Sequence, residues 1–182
     1  MGETLAVFGG SFDPPHVAHT LVAAWAKATG SVDRVLVIPA FAHPFGKKSV
    51  AFEHRLAMCR LAMEGFPFAE VCDIEKDVGD GRTLYTLEAL QKRHPDSAFR
   101  LLIGSDILAG ADRWHRWDDI VALAPPLVVG RTGHQHADAP DALNLPELSS
   151  TELRARLKAG ETTRGRIALS VAQYIETHGL YR

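Results

Sequence analysis

The sequence predicts a doubly wound α/β fold: one parallel sheet with helices on both faces, formed as a single domain over residues 1–182. Three observations predict it. Short apolar runs of β type alternate along the chain with segments of helical periodicity. One run, Val35–Ile38, is continuous and mostly β-branched, as suits a strand buried on both faces. The residues of unusual chemistry fall directly after predicted strands, where open parallel sheets bind their ligands.

The elements follow in order. Thr4–Phe8 is a short β-like run. His16–Thr29 carries Leu21, Val22 and Trp25 at helical spacing. After the strand at Val35–Ile38, Phe52–Met63 reads as a helix with Leu56, Cys59 and Met63 on one stripe. Glu70–Ile74 is a strand candidate. Thr83–Arg93 is helical, and Pro95 follows its end. Phe99–Ile103 and Leu127–Val129 are further strands. Residues 131–147, rich in Gly, Pro, His and Asp, read as a long surface connection. Two final helices, Ser150–Lys158 and Arg164–His178, form a C-terminal helical extension, with Gly160 and Gly179 placed as C-terminal caps.

The bulk numbers are those of an ordinary globular protein: 46% apolar and 23% charged residues. A net charge of −2 gives no electrostatic case for nucleic-acid or membrane partners. Cys59 and Cys72 form no CxxC pair and sit among apolar residues, so both read as core residues in a reducing compartment. The beginning of the sequence lacks the basic and long apolar regions of a signal peptide. No apolar run approaches the ~18–20 residues of a membrane span. A cytoplasmic protein is expected; a homo-oligomer is left open.

The first predicted strand runs into Gly9-Gly10-Ser11-Phe12-Asp13-Pro14-Pro15-His16-Val17-Ala18-His19. Two glycines let the backbone turn sharply and approach a ligand. The helix that follows offers unpaired N–H groups and its positive dipole end, which favour phosphate. His16 and His19, three apart, share one face of its first turn. A zinc site lacks a third ligand at a recognisable spacing. A dehydrogenase-type dinucleotide site lacks GxGxxG, and the second strand ends in Pro39 instead of an acidic residue. Far along the chain, Leu148-Ser149-Ser150-Thr151-Glu152-Leu153-Arg154 combines hydroxyls at a helix start with an arginine one turn in. Such a helix start can hold phosphate oxygens, with the planar fork of Arg154 as a second grip. Read alone, it is also an ordinary helix cap.

The first string resembles the GGxFDPxHxGH signature of the HxGH-motif nucleotidyltransferases at ten of eleven positions, with Ala18 in place of Gly. The second resembles their ISxTxxR motif, with Leu148 for Ile. Three further segments are similar to those of the bacterial nicotinate-mononucleotide adenylyltransferases: Arg82-Thr83-Leu84-Tyr85-Thr86, Gly104-Ser105-Asp106, and Asp112–Trp117 with Trp114. The resemblance covers nearly the whole chain, and it implies a Rossmann-like nucleotidyltransferase fold.

What the resemblance implies about function is specific. AMP would pass from ATP to nicotinate mononucleotide, releasing pyrophosphate, with Mg²⁺ accompanying ATP and no protein residue assigned as a metal ligand. His16, His19 and Arg154 would be catalytic. Gly9, Gly10, Ser11, Phe12, Asp106, Arg131, Ser149, Ser150 and Thr151 would bind ATP. Thr86 and Trp114 would bind the acceptor, with Lys47 and Arg55 near its phosphate. The loop Pro39–Lys48 departs from the family's PPHK-like loop, and Leu84 from its SYT segment. Nicotinamide mononucleotide or phosphopantetheine as acceptor therefore stays open, as does a nucleotide-binding regulator without catalysis.

Overall fold

The computed structural model describes residues 2–29, 31–41, 49–79, 81–108, 110–130 and 148–182. Its strands are β1 (Thr4–Gly10), β2 (Arg34–Pro39), β3 (Ala69–Val71), β4 (Ala98–Gly104) and β5 (Pro126–Val129). All pair in parallel, in the order β3-β2-β1-β4-β5. The helices are α1 (Val17–Ala28), α2 (Phe52–Met63), α3 (Glu75–Val78), α4 (Thr83–Arg93), α5 (Ser105–Leu108), α6 (Trp117–Leu123), α7 (Ser150–Lys158) and α8 (Leu169–Thr177), with a 3-10 turn at Ala111–Arg113.

The strand sequences show why the sheet is covered on both sides. Side chains alternate between the faces of a strand. Leu5, Val7, Leu36, Ile38, Phe99, Leu101 and Ile103 join one core with Leu84, Leu87 and Leu90 of α4 and Ile120 of α6. Their neighbours Ala6, Val35, Val37 and Leu102 join a second core with Ala23 and Ala26 of α1 and Cys59 and Met63 of α2. Both alternating sets are apolar, so the strands read as continuous apolar runs. A third cluster packs Leu153 of α7 and Val171 and Ile175 of α8 onto Met58 and Ala62 of α2. This is the predicted C-terminal helical extension.

Two predicted elements are shorter in the structure. The strand expected at Glu70–Ile74 ends at Val71, where pairing with Val37 stops. Ile74 then turns into helical geometry as the N-cap of α3, while its side chain stays in the core. The helix expected from Arg164 begins at Leu169, because Gly165 adopts φ +75° and Ala168 is extended. Gly160 and Gly179 cap as expected. Each has positive φ, and each helix closes with two hydrogen bonds: Gly160 and Glu161 N–H to Leu157 and Arg156 O, Gly179 and Leu180 N–H to Glu176 and Ile175 O. The connection expected over 131–147 lies outside the described residues.

The strand order reverses between β1 and β4, which leave the sheet's carboxyl end at Gly10 and Gly104. That switch point is where a doubly wound sheet opens a crevice.

Candidate active site

Two cavities meet at the switch point. The first, about 460 Å³, lies between the β1–α1 loop, α5 and the start of α7. The second, about 470 Å³, lies between the β1 end, α4 and the Arg113–His115 segment. Both are lined by Gly9, Gly10, Ser11 and Gly104, so the two spaces adjoin over one stretch of backbone. A Cβ on Gly9 would meet nothing within 4 Å, and its backbone is open to a ligand. A Cβ on Gly104 would fall 2.5 Å from Asp106 Oδ1. Glycine is what lets the Asp106 carboxylate fold back over the strand end.

The first cavity gathers His16, His19, Gly9, Gly10, Ser11, Phe12, Asp106, Ser149, Ser150, Thr151 and Arg154 in its lining. These come from chain segments more than a hundred residues apart. His16 is the N-cap of α1, and its backbone N–H donates to His19 Nδ1 at 3.1 Å. The N3 side chain thus reaches back to the cap, as a glutamate does in a capping box. An accepting Nδ1 carries no proton, so Nε2 of neutral His19 is an N–H donor. The two imidazoles stack, with centroids 3.7 Å apart. His16 is buried and His19 half-buried.

The start of α7 is tied to the same loop. Ser149 is its N-cap, accepting from Glu152 N–H at 3.1 Å. Ser150 Oγ donates to Pro14 O at 3.0 Å, and Arg154 Nη1 donates to Asp13 O at 2.7 Å. The cap reading and the phosphate reading of this segment are therefore compatible. Side chains fix the helix start and occupy the Glu152 N–H, and the N–H groups of Ser150 and Thr151 remain for a ligand.

In the second cavity Trp114 packs edge-on against Trp117, 5.8 Å between centroids, and lines the space with one side. Thr86 lines it too, but its hydroxyl donates to Glu75 Oε1 in a short hydrogen bond. What α4 offers a ligand is then the N–H edge of its first turn, near Thr83. Glu75 is buried, and its Oε2 has no hydrogen-bond partner among the described residues.

Arg55 lines neither cavity. It is 2% exposed, and its guanidinium donates to Ser11 O at 2.9 Å, Val50 O at 3.0 Å and Phe41 O at 3.4 Å. Burial lowers its pKa, while Asp13 opposes that. Arg55 was expected near the acceptor phosphate; the structure instead buries it outside both cavities, with three of its five N–H donors on backbone carbonyls as a brace under the first loop. Lys47 and Arg131 lie outside the described residues. Among the described residues, no three His, Cys, Asp or Glu side chains converge as a metal site.

A sequence model of the cytidylyltransferase-like family matches residues 7–156. A probable nicotinate-nucleotide adenylyltransferase of Anaeromyxobacter sp. (strain K) is 49% identical over 185 residues, covering 100% of this chain and 98% of the relative. One from Myxococcus xanthus is 40% identical, covering 97% and 94%. This chain belongs to the nicotinate-nucleotide adenylyltransferase family. Among solved structures, the Plasmodium falciparum nicotinic acid mononucleotide adenylyltransferase complexed with NaAD superposes with a TM-score of 0.82 at 21% identity, covering 98% of this chain and 97% of that one. At that identity the likeness speaks for the fold.

Sequence reasoning missed several residues of this family member's site. Glu75, Arg82, Arg113 and His115 line the second cavity, and Asp13 lines the first. Glu75 sits at the start of a four-residue helix too short to show periodicity. Arg113 and His115 flank Trp114, and the segment itself was the available signal. Asp13 was in view within the signature, but nothing in the sequence revealed its partner Tyr181, whose hydroxyl donates to Asp13 Oδ1 at 2.6 Å.

Proposed function

We propose that this chain transfers the adenylyl group of ATP to nicotinate mononucleotide, giving nicotinate adenine dinucleotide and pyrophosphate. The observation that carries the proposal is the pair of cavities sharing the Gly9–Ser11 and Gly104 backbone. A nucleoside triphosphate in one and a mononucleotide in the other would bring their phosphates together over that backbone. The names of the full-length relatives support the same reaction.

The chemistry is an in-line displacement. An oxygen of the acceptor's 5′-phosphate forms a bond to the α-phosphorus of ATP. The bond from that phosphorus to the bridging oxygen breaks, and pyrophosphate leaves with the electron pair. The acceptor phosphate is already anionic, so no general base is needed. Catalysis comes from positioning and charge stabilisation. His19 Nε2–H, with His16 stacked behind it, donates to the oxygens of the α-phosphate. Arg154 and the N–H groups at the start of α7 hold the β- and γ-phosphates. Asp106 accepts from a ribose hydroxyl, and Trp114 stacks on the pyridine ring. Mg²⁺, accompanying ATP, would supply charge neutralisation on the phosphates.

A second reading concerns the acceptor. Glu75 is one of the residues lining the acceptor cavity, and its buried Oε2 has no hydrogen-bond partner among the described residues; an amide that reached it could donate where a carboxylate could not. That favours nicotinamide mononucleotide as a competing acceptor. One assay tests both readings: pyrophosphate release from ATP and Mg²⁺, with the acid, the amide and phosphopantetheine offered in turn. Preference for the acid is the expected result. Turnover of the amide alone assigns the acceptor to the second reading. ATP binding without turnover of any acceptor makes the chain a nucleotide-binding regulator. A cytoplasmic location goes with this reading, since ATP is abundant there and thiols such as Cys59 stay reduced.

A further inference from the structure

We propose that the Tyr181 hydroxyl is a positioning group for Arg154: it holds the Asp13 carboxylate, and Asp13 in turn sets the guanidinium at the edge of the triphosphate cavity. The inference rests on the reading of Arg154 as a ligand of ATP phosphates.

Asp13 is the junction. Its side chain accepts from Tyr181 Oη at 2.6 Å, and its backbone carbonyl accepts from Arg154 Nη1 at 2.7 Å. The same Nη1 lies 3.8 Å from Asp13 Oδ2, a charge contact without a hydrogen bond's length. Asp13 is 3% exposed, so its oxygens have little water to fall back on. Tyr181 itself lines neither cavity. Whatever it contributes to the reaction must pass through Asp13.

The backbone bears this out at both ends of the bond. Phe12, next to Asp13, has φ 46°, and Tyr181 has φ 63°. Both are in the left-handed region, which side chains with a Cβ disfavour and which persists where the surroundings over-determine it. Two such residues, from opposite ends of the sequence, flank one hydrogen bond. Arg55 grips the neighbouring Ser11 carbonyl from the other side at 2.9 Å. The loop Ser11–Asp13 is thereby clamped between an arginine and a tyrosine. Burial and the bond to Asp13 push the Tyr181 phenol up from its ordinary range, which keeps it a neutral donor.

The consequence of losing the hydroxyl follows from charge. A buried carboxylate oxygen without its donor is costly, and the nearest cation is Arg154. The guanidinium would close the 3.8 Å gap and withdraw from the cavity.

The test is Tyr181→Phe, assayed well below its melting temperature. ATP affinity is measured by calorimetry with Mg²⁺ and no acceptor, which separates this test from the acceptor's identity. The expected result is ATP affinity weaker by roughly ten-fold, with kcat reduced and KM for the acceptor unchanged. In an Arg154→Lys background the same substitution should add little, because the group it positions is gone. Unchanged ATP affinity in folded Tyr181→Phe overturns the proposal. So do fully additive losses in the double variant, or failure of Tyr181→Phe to fold even with saturating ATP, since each makes Tyr181 a packing residue. If Arg154→Lys alone leaves ATP affinity intact, the reading of Arg154 fails, and this inference with it.

Discussion

At the scale of single residues, the site works by what each side chain has left over after its structural duties. His19 Nδ1 accepts from the His16 N–H, which puts the proton of the neutral ring on Nε2. His19→Ala should lower the rate of pyrophosphate release by ~10²–10³-fold, the usual effect of removing one preorganised charge stabiliser. Thr86 is the opposite case: its hydroxyl is spent on Glu75. Its identity was legible in the sequence, but the commitment of its proton was not, because Glu75 lies eleven residues away and one hydrogen bond decides it. The thiols are legible throughout. Burial pushes both Cys59 and Cys72 above the ordinary thiol range, so each stays protonated and unreactive at neutral pH. A thiol reagent should find neither in the native protein and both after denaturation. For Tyr181 the folded pKa is raised above that of the unfolded phenol, about 10. Its contribution to stability is then complete below about pH 10 and lost as pH rises beyond it. Urea denaturation from pH 9 to 11 should show a smaller loss for Tyr181→Phe than for the parent chain.

At the scale of elements, α7 serves the site and the core with opposite ends. Its first turn faces the triphosphate cavity, while Leu153 is fully buried against α2 and α8. Ser149→Ala removes the cap to Glu152 N–H and should cost about 1 kcal/mol. Leu153→Ala opens a cavity in the third cluster and should cost about 2–5 kcal/mol. Denaturant midpoints distinguish the two, and ATP affinity should suffer in both, because either loosens the start of α7. The bounds of α2, α4 and α7 match the sequence expectation to the residue. The expectation overshot at α8, where periodicity in Arg164–Ala168 is cut by the left-handed Gly165. It stayed silent on α3, α5, α6 and the 3-10 turn, which span seven residues or fewer and are too short to show a clear period.

At the scale of the whole molecule, the fold brings residues 9–19, 104–106 and 148–154 around one switch point, with the second cavity beside them. A ligand that binds this assembled form stabilises it by mass action. Saturating ATP should raise the unfolding free energy by about 2.7 kcal/mol at a hundred-fold excess over Kd, and a thermal-shift series in ATP checks it. Among the described residues, no helix is long and apolar enough to cross a membrane. The sequence by itself determined the parallel sheet, through runs apolar on both alternating sets. It also singled out the first loop and the start of α7, because a local string of glycines, hydroxyls and cations is visible in sequence, and the fold brings both to one cavity. Tertiary structure alone decided how those strings use their atoms. It set Arg55 as a brace on the Ser11 carbonyl, left Glu75 Oε2 without a partner among the described residues, and joined Tyr181 to Asp13 across the chain. The physical reason is the same in each case: a polar group's role is set by which partner reaches it first in the folded chain, and partners distant in sequence leave no local pattern.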